Sequence, residues 1–191
     1  MTERALLNAI NNGATINFIK GLEAKNIILM GGAGFEPGNI TPAAEFNIFV
    51  DPFAAKSIFE SEIEIFMFGL DVTHQMIITP KRLSLIKKSS NSIGPTTADL
   101  LTFFNSYDTK KYGWDGAPLH DPCTIAWLIK PEIFQMKKMS VEIETNNGPA
   151  FGRTIADWFN VTDKNKNVNV AISGKSNPFF DLIAERLRRF S

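Results

Sequence analysis

The sequence has little that would direct it to a membrane or to nucleic acid. Lysines and arginines balance aspartates and glutamates at 20 each, so no net charge attracts a polyanion, and no basic run creates a local patch. No apolar stretch reaches the roughly eighteen residues of a membrane-spanning helix, and the first residues do not resemble a signal peptide. These absences predict a cytoplasmic protein that binds neither nucleic acid nor a membrane.

Cysteine is almost absent as well. The single cysteine, Cys123, cannot form an internal disulfide and lies in an apolar helical pattern, which predicts a structural thiol in a reduced compartment without a catalytic role. The chain does contain 44% hydrophobic and 11% aromatic residues among its 191, which is enough for a buried core. We therefore expect one globular domain over residues 1–191.

Short β-rich runs alternate with helical patterns along the chain. The apolar run Asn26–Met30 predicts a buried strand that ends at Gly31-Gly32, and residues 63–68 predict the next strand. Between them Asp51-Pro52 begins a helix that continues to Phe59, because aspartate caps free amides and proline suits the first helical position. A strand, a helix and a strand within about forty residues favour a right-handed crossover. The sequence therefore predicts an α/β fold, a parallel sheet flanked by helices.

The same pairing of a capping residue with proline predicts three further helix starts, at Thr79-Pro80, Asp121-Pro122 and Asn177-Pro178. The last helix extends over 178–190, and its apolar side holds Phe179, Ile183, Leu187 and Phe190. Weaker patterns predict a helix over 94–107, strands over 139–144 and 168–172, and loops over 105–119 and 160–167.

Polar side chains follow the first predicted strand. Asn39, Glu45 and Asn47 lie within nine residues, downstream of Met30 and beside Phe46, and open α/β sheets bind ligands beyond the carboxyl ends of their strands. Two amides that donate and accept, together with a carboxylate that accepts, suit the hydroxyl groups of a polyol. The same residues also suit a capped polar loop without a ligand, because such side chains commonly bind backbone groups in turns.

A second candidate site is the segment 116–122, where His120 and Asp121 precede Pro122. Asp121 is the N-cap of the helix, a ligand-binding carboxylate, or both. His120 is either an ordinary loop histidine or a side chain that donates a proton near neutral pH. The spacing leaves these alternatives open.

In chain order, these segments resemble a known family. Their order and spacing are similar to those of the inosine-uridine-preferring nucleoside hydrolases. The matching motifs are Met-Gly-Gly at 30–32, Asn-x-Thr-Pro-x-x-Glu-Phe-Asn at 39–47, Asp-Pro at 51–52, Gly-Leu-Asp-Val-Thr at 69–73 and Leu-His-Asp-Pro at 119–122. The resemblance implies a Rossmann-like α/β domain. It also implies hydrolysis of the N-glycosidic bond of purine and pyrimidine ribonucleosides to base and ribose, with a calcium ion that holds the ribose diol and the attacking water.

The resemblance assigns roles to individual residues. Ribose hydroxyl groups would be contacted by Asn39, Glu45 and Asn47, and the pocket would be lined by Met30 and Phe46. These five residues form the substrate-binding part of the implied site.

The remaining implied roles fall on two adjacent residues. Asp121 would bind both calcium and the sugar, and His120 would face the leaving base as the candidate general acid. Trp114 could wall the base side, but an aromatic residue in a Gly-rich loop equally suits packing, so it stays outside the expected site. His74 and Cys123 do not match functional positions and are expected to be structural.

One family segment is missing from the sequence. Members begin with an Asp-x-Asp-x-Gly-x-Asp-Asp segment that supplies most calcium ligands and the general base, and this chain has no such segment. Calcium takes roughly six to eight oxygen ligands, and Asp121 falls short of that number even with a backbone oxygen of Thr2 as a second ligand. We therefore expect a chain truncated at its N-terminus that does not bind calcium by itself.

An N-terminal truncation would leave an unpaired sheet edge, which favours self-association or a partner chain. Two hypotheses follow. The chain is a nucleosidase portion that is active only when another polypeptide supplies the Asp-rich segment, or it is a non-catalytic relic or nucleoside-binding module.

Overall fold

The computed structural model describes residues 25–90 and 92–190. Thr2 lies outside these residues, as does the rest of the N-terminal segment. The chain divides into two compact units, of which the first comprises residues 25–71 and 136–171 of the described part and the second comprises 72–135 and 172–190. The expectation of a single domain over 1–191 stays a prediction.

The first unit is built on a parallel sheet. Strand β1 (Asn26–Met30) pairs in parallel with β2 (Glu64–Phe68), and β2 pairs in parallel with the start of β6 (Val168–Gly174). With β3 (Phe134–Met139), the strand order is β1-β2-β6-β3. This confirms the predicted parallel sheet. A second, antiparallel pair, β4 (Val141–Ile143) with β5 (Thr154–Ala156), belongs to the same unit.

Two short helices follow β1 in the first unit. Helix α1 covers Phe46–Val50 and α2 covers Pro52–Phe59, and Asp51 accepts a hydrogen bond from the Ala54 amide at 2.9 Å. The helix predicted from Asp51-Pro52 to Phe59 is confirmed. Its start was predictable because it depends on a side chain that binds a backbone amide three residues later. Its last residue, Phe59, is buried.

The second unit is mainly helical. Helix α3 (Leu70–Thr73) leads into it, and α4 (Pro80–Lys87), α5 (Ile93–Tyr112), α6 (Pro122–Ile129) and α7 (Ser176–Leu187) form it. Its buried side chains include Ile78, Ile86, Cys123, Phe179 and Phe180. The described part of the chain contains no helix long and apolar enough to cross a membrane.

The predicted start of the last helix was wrong. Helix α7 begins at Ser176, and Asn177 does not cap it, because the Asn177 Oδ1 atom accepts a hydrogen bond from Arg82 at 3.0 Å. The predicted apolar side was also partly wrong. A 3-10 turn over Arg188–Phe190 follows the helix, and Phe190 is 67% exposed, whereas Phe180 is buried.

Two other predicted boundaries were wrong. Helix α5 continues to Tyr112 and ends at Gly113, which has φ of 67°, so residues 105–112 are helical and not part of a loop. The strand predicted over 139–144 is interrupted at Ser140, between β3 and β4. Here the amide of Val141 donates to the side chain of Asn167 at 2.8 Å instead of to a neighbouring strand.

Candidate functional site

The turn after β1 depends on the glycines of the Met-Gly-Gly motif. Gly32 has φ of 87°, and a Cβ atom on it would lie 2.8 Å from the Thr154 hydroxyl oxygen. The Gly31 amide donates to the Phe68 carbonyl at 3.2 Å, and the Gly32 carbonyl accepts from the Leu70 amide at 2.8 Å. Only glycine adopts this conformation in this space without strain, and the ends of β1 and β2 are thereby tied together.

Glu45 anchors the loop that follows. Its carboxylate, in a side chain that is 2% exposed, accepts hydrogen bonds from the amides of Gly32 at 2.8 Å, Asn47 at 2.9 Å and Ile48 at 3.3 Å. It is therefore the N-cap of α1 and also holds the turn after β1. The capped-loop alternative describes its contacts in the structure, while its sugar contact stays a prediction.

The other four expected substrate-binding residues lie beside Glu45. The Asn39 Oδ1 atom accepts from the Phe46 amide at 2.8 Å, and the Asn47 Nδ2 atom donates to the Met30 carbonyl at 3.3 Å. Phe46 is 52% exposed. Asn47 is also exposed, and its Oδ1 atom has no donor among the described residues, so it can accept a hydrogen bond from a ligand. The structure thus brings all five residues together in the first unit.

Asp71 holds the same loop from the Gly-Leu-Asp-Val-Thr segment. Its carboxylate accepts hydrogen bonds from the amides of Gly34 at 2.8 Å, Phe35 at 2.7 Å and Glu36 at 2.8 Å. Asp71 is not among the site residues expected from the sequence. The signal that could have found it is its place three residues after the end of a β-rich run, where a carboxylate can bind successive amides of a neighbouring loop.

Asp121 does not cap the helix that it precedes. It has helical φ and ψ of −60° and −38°, and its side chain makes no capping hydrogen bond. The interpretation of Asp121 as a side-chain N-cap was therefore wrong. The first turn of the helix is instead closed by backbone and hydroxyl groups, since the Thr124 amide and hydroxyl both donate to the Asp121 carbonyl. The carboxylate is exposed at the start of α6.

His120 is held by a partner that the sequence did not indicate. Its Nδ1 atom lies 2.8 Å from the hydroxyl oxygen of Thr73, a residue with 0% exposure, and its ring centre lies 5.9 Å from that of His74. Burial, with a smaller contribution from His74, lowers the pKa of His120 to about 4. The imidazole is therefore neutral at neutral pH, and a general-acid role requires its pKa to rise when substrate is bound.

An open pocket of about 510 Å³ lies next to these histidines and is lined by His74, Ile77, Thr79, Gly113, Trp114 and Asp115. The Trp114 ring meets His74 edge-on at 4.8 Å between centres and stacks on Tyr112 at 4.7 Å. Aromatic faces of this kind suit a planar heterocycle. His74 and Trp114, both left outside the expected site, thus form part of a pocket wall, and their separation along the chain gave no spacing signal.

The described residues do not make a metal site by themselves. Within 25–90 and 92–190, no group of three or more His, Cys, Asp or Glu side chains is arranged to hold a metal ion. Calcium needs roughly six to eight oxygen ligands. A calcium site that includes Asp121 therefore needs further ligands from other residues.

Comparison with known proteins identifies the family. The model of the inosine-uridine preferring nucleoside hydrolases matches residues 21–181. The chain therefore belongs to this family, whose members are metal-using hydrolases that act on N-glycosyl bonds. Its α/β sheet accordingly has the Rossmann-like fold of nucleoside hydrolases.

Particular relatives share close to half of their residues with the chain over the matched region. The pyrimidine-specific ribonucleoside hydrolase RihA of Photobacterium profundum is 48% identical over 166 residues, which are 86% of this chain and 53% of the relative. An uncharacterized protein of Schizosaccharomyces pombe is 43% identical over 166 residues, 87% of this chain and 54% of the relative. The chain thus spans about half the length of the curated relatives that it matches.

Solved structures of nucleoside hydrolases also match most of this chain but only part of their own length. A plant nucleoside hydrolase, the PpNRh1 enzyme, matches with a TM-score of 0.80 and 30% identity, over 93% of this chain and 58% of that one. A purine-preferring ribonucleoside hydrolase from Gardnerella vaginalis matches with a TM-score of 0.78 and 31% identity, over 94% of this chain and 57% of that one.

Proposed function

We propose that the chain is the sugar- and base-binding part of a ribonucleoside N-ribohydrolase, which uses water to split the N-glycosidic bond into base and ribose. The observation that carries the proposal is the His120-Asp121 turn. Its carboxylate is exposed and makes no capping bond, beside an imidazole held at 2.8 Å by Thr73. A carboxylate that is not needed by its own helix is available to a ligand. Membership of the family supports the same role.

The sugar is bound by the segment 39–47. Asn47 offers an exposed amide oxygen, and Asn39 and Glu45 complete the set of polar groups for the ribose hydroxyls. Glu45 also holds the backbone in place, so its carboxylate combines a structural contact with a substrate contact. Met30 and the half-exposed Phe46 supply the apolar wall. Oxygen atoms around the sugar stabilise the positive charge that develops at its anomeric carbon as the bond breaks.

His120 and Asp121 act on opposite parts of the substrate. Asp121 contacts the sugar and is a ligand of the metal, which we propose is calcium. His120 serves the leaving base, which departs more easily when a ring nitrogen or a carbonyl oxygen of the base receives a hydrogen bond or a proton. A calcium ion held in part by Asp121 would help to position the ribose diol and the attacking water.

The remaining calcium ligands come from an Asp-rich segment of the kind that begins other family members. Asp121 alone cannot satisfy calcium, and the described residues provide no cluster that would. We propose that this segment is supplied by another part of the polypeptide or by a complementing chain. Association of copies of the chain is a separate proposal, which would cover the sheet edge but not add the segment. The cytoplasm is the proposed compartment.

Pyrimidine ribonucleosides are the proposed preferred substrates. Several relatives at 45–48% identity carry the name pyrimidine-specific ribonucleoside hydrolase, whereas the purine-preferring structure is 31% identical. Uridine and cytidine should therefore be hydrolysed faster than inosine.

The test is complementation with a family N-terminal segment. The purified chain alone should release reducing sugar from uridine, cytidine or inosine no faster than buffer. With the segment co-expressed and calcium added, turnover should appear and disappear with a chelator, and the segment should raise the thermal stability by mass action. Robust calcium-dependent turnover by residues 1–191 alone would overturn the requirement for added ligands.

Substitutions then separate the proposed roles. Asp121→Asn and Asn47→Ala should reduce turnover of all three substrates, because they act on the sugar and the metal. His120→Ala should reduce turnover most where the base needs protonation. Asp181→Asn, an exposed aspartate on α7, is the matched control and should keep full activity. Equal activity of Asp121→Asn and Asp181→Asn would contradict the role of Asp121.

A non-catalytic nucleoside-binding module is the second candidate. The observation in its favour is the absence of a metal-binding group among residues 25–90 and 92–190. Calorimetry with uridine distinguishes the two functions. Binding that is lost in Asn47→Ala, with no turnover after complementation and calcium addition, would favour the binding module.

A further inference from the structure

We propose that Thr73 is a positioning residue that holds His120 as the neutral tautomer with its proton on Nε2. The ring then offers an N–H donor on the side away from Thr73, directed at an acceptor atom of the leaving base. The use of this donor rests on the proposed function, whereas the tautomer itself rests only on the contacts of Thr73 and His120.

Both ends of the contact are fixed by the backbone of the second unit. The Thr73 carbonyl accepts from the Met76 amide at 2.9 Å, which closes a turn directly after α3. The Met76 carbonyl in turn accepts from the Leu119 amide at 2.9 Å, and this bond places the segment with His120 beside that turn. The His120 carbonyl accepts from the Cys123 amide at 3.1 Å. The distance of 2.8 Å between Thr73 Oγ1 and His120 Nδ1 is therefore part of a backbone-supported arrangement.

The direction of this hydrogen bond follows from the surroundings of Thr73. A threonine hydroxyl has one proton to donate, and a neutral imidazole has one donor and one acceptor nitrogen. Among the described residues, the contact with His120 is the only hydrogen bond of the Thr73 hydroxyl, and the residue is 0% exposed. If Nδ1 carried the proton, the buried hydroxyl proton would have no acceptor there. A buried donor without a partner is disfavoured, so the hydroxyl donates to Nδ1 and the ring proton lies on Nε2.

This arrangement gives His120 a function that a neutral ring can perform. A neutral imidazole whose Nδ1 atom is occupied as an acceptor can still donate one hydrogen bond from Nε2. Pyrimidine bases carry carbonyl oxygens, and purine bases carry ring nitrogens, that become better acceptors as the glycosidic bond breaks. A donor held in one orientation loses little freedom when the transition state forms.

Nitrogen-15 NMR of the purified chain at pH 8 tests the tautomer without any need for activity. The chain contains two histidines, so few signals need assignment. The expected result is that the Nε2–H tautomer of His120 exceeds the Nδ1–H tautomer by at least about tenfold. This ratio corresponds to the free-energy cost of leaving one buried donor unpaired. Protonated Nδ1 in the unmodified chain would overturn the proposal.

Two substitutions isolate the hydroxyl group. Thr73→Val keeps the shape and removes the donor, so the excess of the Nε2–H form should fall several-fold, and Thr73→Ser should restore it. Thr102→Val is the matched control, because the Thr102 hydroxyl bonds the Ala98 carbonyl within α5 and should not affect His120. An unchanged tautomer ratio in Thr73→Val would also overturn the proposal. If Thr73→Val does not fold, the unmodified chain and Thr73→Ser decide.

The complemented enzyme provides a kinetic readout. Thr73→Val should lower kcat for uridine about tenfold and leave KM within about twofold, because the lost interaction acts in the transition state. If the tautomer is as proposed but kcat is unchanged, Thr73 does not act as a positioning residue in catalysis. If no variant or parent shows activity, the proposed function fails while the tautomer result stands.

Discussion

Replacing Glu45 by glutamine tests the double role of this residue most directly. The substitution keeps the shape of the side chain but removes its charge and turns one acceptor oxygen into an NH2 donor. In the structure both carboxylate oxygens are in use: Oε2 accepts from the amides of Gly32 and Ile48, and Oε1 accepts from the amide of Asn47. Whichever way the glutamine amide turns, at least one backbone N–H group faces another donor.

The expected loss of stability follows from these bonds. A hydrogen bond to a charged group contributes about 1.5–3 kcal/mol and a neutral one about 0.5–1.5 kcal/mol, while a buried donor left unsatisfied costs about 1–3 kcal/mol. Two weakened bonds and one lost bond together predict a decrease of about 2–4 kcal/mol in the free energy of unfolding. For a chain of this length, that decrease lowers Tm by about 4–16 °C.

Urea and thermal denaturation followed by tryptophan fluorescence measure the effect. Glu62→Gln is the matched control, because Glu62 is exposed, and its free energy of unfolding should stay within about 0.5 kcal/mol of the parent. If Glu45→Gln is as stable as Glu62→Gln, Glu45 does not anchor the turn after β1. A stable Glu45→Gln variant with weakened uridine binding would instead make Glu45 a sugar contact alone.

Three further predictions concern other contacts. Asp71→Asn should speed hydrogen exchange at the amides of Gly34, Phe35 and Glu36 about tenfold, because the amide cannot accept from all three; unchanged exchange would refute the anchoring role. Cys123 is 0% exposed, so a thiol reagent should label it roughly a hundredfold more slowly in the folded chain than in urea; equal rates would contradict its burial. Hydrogen bonds from the Thr162 hydroxyl and amide and from the Val161 amide lower the pKa of Asp157 below 3.8. Thr162→Val should therefore raise that pKa, measured by carboxyl-carbon NMR. Because the folded pKa is the lower one, the stabilisation is complete above the ordinary pKa and is lost as the pH falls through the folded value.

Features that depend on neighbouring residues were predictable from the sequence. Asp51 and Thr79 each bind an amide three residues later, so the starts of α2 and α4 could be assigned from a capping residue followed by proline. At Asp121 the same pattern gave the correct start, since α6 begins at Pro122, but not the capping bond, and at Asn177 it missed the start, since α7 begins at Ser176. Asn177 binds Arg82, which lies far away in sequence, and Asp121 has helical dihedral angles and makes no side-chain capping bond.

In the candidate site, too, local features were predictable from the sequence and contacts between distant residues were not. The seven candidate site residues could be chosen from the motifs, because their types and order are carried by short segments of the chain, and their roles stay predictions. Their partners were not predictable. No spacing rule indicates that Thr73 meets His120, that His74 meets Trp114, or that Asp71 binds the amides of Gly34 to Glu36.

The sequence by itself therefore determined the family, the alternation of strands and helices, and the residue types available for a sugar, a metal and a base. Only the tertiary structure decided how those side chains are used. Glu45 is buried and bound to three amides, whereas Asp121 is exposed and makes no capping bond. The physical reason is that a polar side chain takes the partners that folding places within about 3 Å of it, and most of these partners are remote in the chain.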